Sequence, residues 1–175
     1  MNKLAREAVR YIFVHTAASD LRGVDAAMIR SWHMNPKVHP PNGWSDIGYH
    51  YVILDDTHPT QPDGMIQPGR SVTYQGAHVA GVNHMSIGIC CVGHGDHRKF
   101  TNRQTRRLIQ LCDAMLDFFP NTQVSRILGH RDVNQLVVDG IIAKKYMTSK
   151  TCPGTLIDME EIREAVRDYR RSQGQ

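Results

Sequence analysis

The chain has 175 residues, 41% of them hydrophobic and 22% charged, ordinary usage for one globular domain with a real core, which excludes wholesale disorder. The formal net charge of +4 is small and scattered; it gives no footprint for nucleic acid and suits, weakly, an anionic polymer. No run approaches the roughly 20 apolar residues of a membrane span, and the first residues, Met1 to Glu7, lack the apolar centre of a secretory signal, so the chain is expected in the cytoplasm of the producing cell.

Tyr11-Ile12-Phe13-Val14, ending at His15, reads as a buried strand of β-branched and aromatic residues. Asp25 to His33 reads as a helix that stops before Asn35-Pro36, followed by a Pro/Gly/His-rich loop up to Gly48. A second strand is predicted over Tyr49 to Leu54, then a turn with a short hairpin between Pro59 and Arg70. Ser86 to Val92 is almost continuously apolar, as a central strand would be.

The strongest helical signal runs from Thr101 to Phe119. Leu108, Leu111, Cys112, Met115, Leu116 and Phe119 form one stripe, and Thr101 with Gln104 makes a capping box. A short strand over Val124 to Leu128 leads into Gly129-His130, and a last helix spans about Asp158 to Arg170. Strands alternating with helices predict an α/β domain: a central mixed β-sheet flanked by helices, with its core between about residues 10 and 170 and no linker to divide residues 1–175.

The four cysteines do not form a disulfide framework. Cys90, Cys91 and Cys112 lie in apolar patterns and read as buried reduced thiols. Cys152 is different, since it lies in the loop-like Ser149-Lys150-Thr151-Cys152-Pro153-Gly154, just before the last helix. Most of the ten histidines need not be ligands. His15 and His130 differ from the rest because each ends a predicted strand, where a sheet presents side chains to a site at its edge. Two imidazoles and one thiolate make a normal open zinc site, with water in the fourth position. Their spacing is not that of a compact zinc finger.

Five motifs then occur together and in order: Val14-His15-Thr16-Ala17, Gly48-Tyr49-His50-Tyr51, Asn83 to Ile89, Gly129-His130-Arg131-Asp132 and Lys150-Thr151-Cys152-Pro153-Gly154. In this the chain resembles the zinc-dependent N-acetylmuramoyl-L-alanine amidases, the type 2 group that includes phage lysozyme-amidases and peptidoglycan recognition proteins. Ile29-Arg30-Ser31-Trp32-His33 resembles the first helix of the phage enzymes. The resemblance implies one Zn²⁺ per chain on His15, His130 and Cys152, at the edge of the sheet. It also implies that Tyr49 and Lys150 complete the catalytic centre. On their own, Tyr49 reads as a packed strand aromatic and Lys150 as a solvated loop cation.

His78, Asn83 and His84 resemble the family's substrate-facing loop and are assigned to substrate contacts. Arg70, in Pro68-Gly69-Arg70 after the predicted hairpin, reads equally well as a surface charge, and His33, His39, His50, His58, His94 and His97 are left as structural or exposed. The segment Val133 to Ser149 is longer than in the short phage relatives and is expected to wall one side of the cleft. The implied activity is hydrolysis of the bond between N-acetylmuramic acid and the L-alanine of the stem peptide. The implied partner is bacterial peptidoglycan, reached after release from the cytoplasm as a phage endolysin, with the protein acting as a monomer. A cytosolic wall-recycling amidase and a non-catalytic peptidoglycan-binding module are the alternatives.

Overall fold

Tyr11–Thr16 (β1), Tyr51–Ile53 (β2), Ile66–Pro68 (β3), Ser86–Cys91 (β4) and Ile127–Gly129 (β5) form one five-stranded sheet in the computed structural model, which describes residues 1–174. The strand order is β3-β2-β4-β1-β5. Strands β2, β4, β1 and β5 run parallel, and β3 returns antiparallel along β2. Both β1 and β4 are buried along their whole length, which explains why they read as continuous apolar runs.

The two-residue period of β1 divides its side chains between two layers. Ile12 and Val14 join Ile87, Ile89 and Cys91 under α2 (Asn102–Phe118) and α4 (Met159–Ser172). Tyr11 and Phe13 face the opposite layer, where Val79, Val82 and Leu136 of α3 (Val133–Val138) cover them. On that same side α1 (Ala26–Met34) covers Val52, Leu54 and Cys90. This is the expected mixed sheet with helices on both faces, and among the described residues no helix is long and apolar enough to cross a membrane.

Helix starts follow the local chemistry. Asp25 accepts from the Met28 amide at 2.8 Å, Asp158 caps α4, and Thr101 with Gln104 completes the capping box of α2. Two strands are shorter than predicted. Tyr49 and His50 keep sheet-like bonds, with the Gly69 and Arg70 amides donating to the His50 and Tyr49 carbonyls at 2.8 Å, but they leave the regular ladder. Val124–Arg126 is a 3-10 turn, closed by the Arg126 amide on the Gln123 carbonyl at 2.9 Å, so pairing with β1 begins only at Ile127.

The long segment before the last loop divides its roles. Val133 and Leu136 seal the layer around Phe13, whereas Val138 and Ile141 stay 72% and 48% exposed. Cys90, Cys91 and Cys112 are free and buried as expected, and Cys152 is half-buried.

Candidate metal centre

The parallel strands bring their carboxyl ends to one edge of the sheet, the usual location for a site in open α/β sheets. His15 continues the Tyr11–Phe13 face of β1 to the point where core cover runs out, and it remains 1% exposed. His130 follows β5, the neighbour of β1 on the other side from β4. Cys152 reaches the same point from the loop before α4. One ligand atom from each of His15, His130 and Cys152 lies within 4.8 Å of the others. Cys152 Sγ stands 3.7 Å from His15 Nδ1, and the two imidazole rings lie 5.1 Å apart at 79°.

The donor set fits zinc. With zinc–sulfur and zinc–nitrogen bonds of about 2.3 and 2.0 Å, a tetrahedral ion would hold its sulfur and nitrogen ligands about 3.6 Å apart. Burial, together with the neighbouring His78 and His130 rings and the Lys150 charge, holds the His15 pKa well below its usual value. Burial and Lys150 bring His130 down to about 4. Both rings therefore offer neutral lone pairs at pH 7. Burial pushes the Cys152 thiol up, and hydrogen bonds from Thr16 and the Lys150 and Arg131 charges work against that push. A cation at the site would add to the groups that favour the thiolate.

The loop carrying Cys152 is pinned by the residue next to His130. The Arg131 amide donates to the Cys152 carbonyl at 2.8 Å. The Arg131 guanidinium donates to the carbonyls of Thr151, Gly154 and Ile157 at 3.2, 2.6 and 2.7 Å. From the opposite side, Asp96 accepts from Thr151 Oγ1 at 2.7 Å and from the Thr155 amide at 2.6 Å. Backbone meets backbone between them. A Cβ on Gly95 would lie 1.8 Å from the Pro153 carbonyl oxygen, so only glycine fits there.

Two adjoining hollows of 440 and 430 Å³ open over the centre and share Trp44, Ala77, His78, His130 and Lys150 along their common rim. Tyr49 lines the first hollow, its ring 5.0 Å from that of His15. Burial, with the adjacent Cys90 and Cys152 thiols, pushes the Tyr49 phenol well above its usual range, so it stays a donor. Lys150 lines both hollows, and its own backbone amide is tied to Thr148 Oγ1 at 3.1 Å.

Of the three residues assigned to substrate, His78 lines both hollows and Asn83 the second. His78 is 7% exposed, and both ring nitrogens meet protein atoms, His15 Nε2 at 3.1 Å and Ser86 Oγ at 3.4 Å. Asn83 uses its side-chain oxygen to accept from the His78 and Val79 amides, at 3.0 Å each. His84 is exposed and lines neither hollow.

Other walls come from residues that the sequence left as structural or unremarked. His33 and His39 pack on Trp44 with ring centroids 4.6 and 4.3 Å apart, and all three line the first hollow. His94 lines that hollow too, stacked on His97, with Nδ1 buried and without a partner among the described residues. Lys145 and Tyr146, from the long segment, wall the second hollow, as was expected of that insertion. Arg70 is no surface charge. It is 6% exposed and donates to the carbonyls of Ile47, Gln75 and Asp46, which fixes the loop leading to Tyr49. Only its position after a Pro-Gly turn marked it in the sequence.

Residues 5–155 match a family model described as N-acetylmuramoyl-L-alanine amidase. The endolysin of Escherichia phage T7 is 35% identical over 117 residues, spanning 63% of this chain and 69% of that protein. Peptidoglycan recognition protein 1 of Rattus norvegicus is 29% identical over 143 residues, 79% of this chain and 73% of that one. Among solved structures, the N-acetylmuramoyl-L-alanine amidase LysC from Clostridium intestinale URNW shares the fold with a TM-score of 0.69. The likeness covers 93% of this chain and 87% of that one at 23% identity.

Proposed function

The chain belongs to the N-acetylmuramoyl-L-alanine amidase family, and from that premise we propose that it is a zinc-dependent peptidoglycan hydrolase. It cuts the amide between the lactyl group of N-acetylmuramic acid and the L-alanine that begins the stem peptide. His15, His130 and Cys152 hold one Zn²⁺ per chain. The observation that carries this reading is the convergence of two imidazoles and one thiolate within 4.8 Å beneath an open cleft.

When bound, zinc supplies a Lewis acid that acidifies water and polarises a carbonyl. The chain's own groups do the rest. Lys150, on the rim shared by both hollows, faces the substrate carbonyl and stabilises the negative charge that develops on its oxygen. Tyr49, kept protonated by burial, donates a hydrogen bond to the same reacting centre. The hollows diverge from His130 and Lys150, so one receives the glycan side of the scissile amide and the other the peptide side.

The phage T7 relative carries the name endolysin. The same role is proposed here: a monomer made in the cytoplasm that digests the wall after release. Cys152→Ala and His130→Ala are expected to lose bound zinc, read by elemental mass spectrometry, together with hydrolysis of purified peptidoglycan. A variant that still hydrolyses while free of metal would remove these residues from the ligand set.

A further inference from the structure

His78 stands beside His15 at the edge of both hollows, 7% exposed, and its ring occupies a slot cut to its shape. A Cβ on Gly88 would lie 2.6 Å from His78 Cγ, and one on Gly76 would lie 2.4 Å from His78 Cδ2. Asn83 fixes the backbone at this point by accepting from the His78 and Val79 amides. The ring therefore has one position.

Its partners dictate where its proton sits. Ser86 Oγ is 2.8 Å from the Val82 carbonyl, which can only accept, so the Ser86 hydroxyl donates there. What Ser86 turns toward His78 Nε2, at 3.4 Å, is an oxygen lone pair, so that nitrogen carries the hydrogen. A neutral imidazole has one N–H, which leaves His78 Nδ1 bare. It accepts from His15 Nε2 at 3.1 Å. His15 then has its remaining lone pair on Nδ1, the atom that stands 3.7 Å from Cys152 Sγ. The direction is the same along the whole chain: His15 donates to His78, His78 to Ser86, and Ser86 to the main chain.

We propose that His78 and Ser86 form a relay that holds His15 in the tautomer whose Nδ1 lone pair faces the metal centre, making His78 a positioning residue rather than a substrate contact. This rests on the reading of His15 as a zinc ligand. A ligand imidazole gains orientation and basicity from an acceptor on its second nitrogen, and losing such a partner typically weakens metal binding about 10–100-fold. Here the acceptor is another imidazole, set by a buried hydroxyl.

The test compares His78→Phe, which fills the slot without an acceptor, with His78→Asn, whose side-chain oxygen can stand near the position of Nδ1. Zinc affinity is measured by chelator competition. Nitrogen-15 NMR of the metal-free protein, read at the imidazole nitrogens, reports the tautomer. The relay predicts a bare Nδ1 on His15 in the unaltered chain and a tautomer mixture in His78→Phe. It also predicts zinc binding weakened about 10–100-fold in His78→Phe and largely restored in His78→Asn.

Equal zinc affinity in the unaltered chain and His78→Phe would overturn the relay and leave the ligand reading intact. An unaltered chain that takes up no zinc would overturn both. Should His78→Phe fail to fold, Ser86→Ala and the NMR of the unaltered chain still decide. A proton found on His15 Nδ1, or a Ser86→Ala variant with unchanged tautomer and affinity, contradicts the proposal.

Discussion

Replacing Arg131 by Met removes a guanidinium that fastens the Cys152 loop while keeping much of the aliphatic stem. Two of its three side-chain hydrogen bonds are short and partly buried, to Gly154 at 2.6 Å and Ile157 at 2.7 Å. Bonds of this charged kind contribute about 1.5–3 kcal/mol each in net terms. The side chain is 31% exposed, so the low end applies, and the two bonds together stabilise the fold by about 3 kcal/mol. In a domain of this size 1 kcal/mol moves Tm by about 2–4 °C, so the substitution should lower it by about 6–12 °C. The loop would also lose its fixed distance to His15, and zinc affinity should fall by at least about tenfold. Thermal unfolding of the metal-free protein followed by circular dichroism, with chelator competition for zinc, measures both. A Tm within about 2 °C of the unaltered chain, together with unchanged zinc affinity, would refute the idea that Arg131 couples the second histidine to the cysteine.

Lys150→Ala should retain zinc and lose about 10²–10³-fold in turnover on purified peptidoglycan, the usual effect of removing an oxyanion-stabilising donor; full turnover would return Lys150 to the status of a loop cation. Tyr49→Phe should keep the fold and the metal while turnover drops roughly 10–100-fold, the worth of one hydrogen bond to a charged centre. Asp46 gives a pH prediction. Partial burial opposes its ionisation, but the Arg30 hydrogen bond, the Ile47 amide and the Arg30 and Arg70 charges outweigh that and hold its carboxyl below the usual range. The unfolded chain thus binds more protons in this window, so the contribution is fully present above about pH 4 and is lost as pH falls through the lower native pKa. Asp46→Asn should flatten that part of the stability curve in urea titrations between acidic and neutral pH, and an unchanged curve would remove Asp46 from the account.

The parts of the fold that the sequence made legible are those where one local rule operates without competition. Strands β1 and β4 are covered on both faces, so their residues are uniformly apolar, and α2 carries both its stripe and its capping box. The start of β5 is not legible because Val124, though apolar, packs on the core from a 3-10 turn, and hydrophobicity alone does not distinguish such a turn from a strand. His15 and His130 were legible as strand-ending histidines, and Cys152 as a thiol in a loop. Tyr49 and Lys150 carried no comparable pattern and rested on resemblance.

Tertiary pairing was out of reach in the same way. Nothing local to Arg70 indicates that it will be buried under the Ile47 carbonyl, and nothing local to His78 indicates that both its nitrogens will be taken by His15 and Ser86. His33, His39 and Trp44 come together only because the loop after α1 folds back, with the Trp44 amide donating to the His33 carbonyl at 2.8 Å.

The central claim is a reaction at one bond that depends on one metal centre, and mass spectrometry of purified peptidoglycan incubated with the protein, with and without a zinc chelator, tests it most directly. The account predicts free stem peptides beginning at L-alanine and glycan bearing intact N-acetylmuramic acid, both products disappearing on chelation and returning with added zinc. Intact muropeptides from a folded, zinc-loaded protein, or the same cleavage undiminished after the metal is removed, would contradict it.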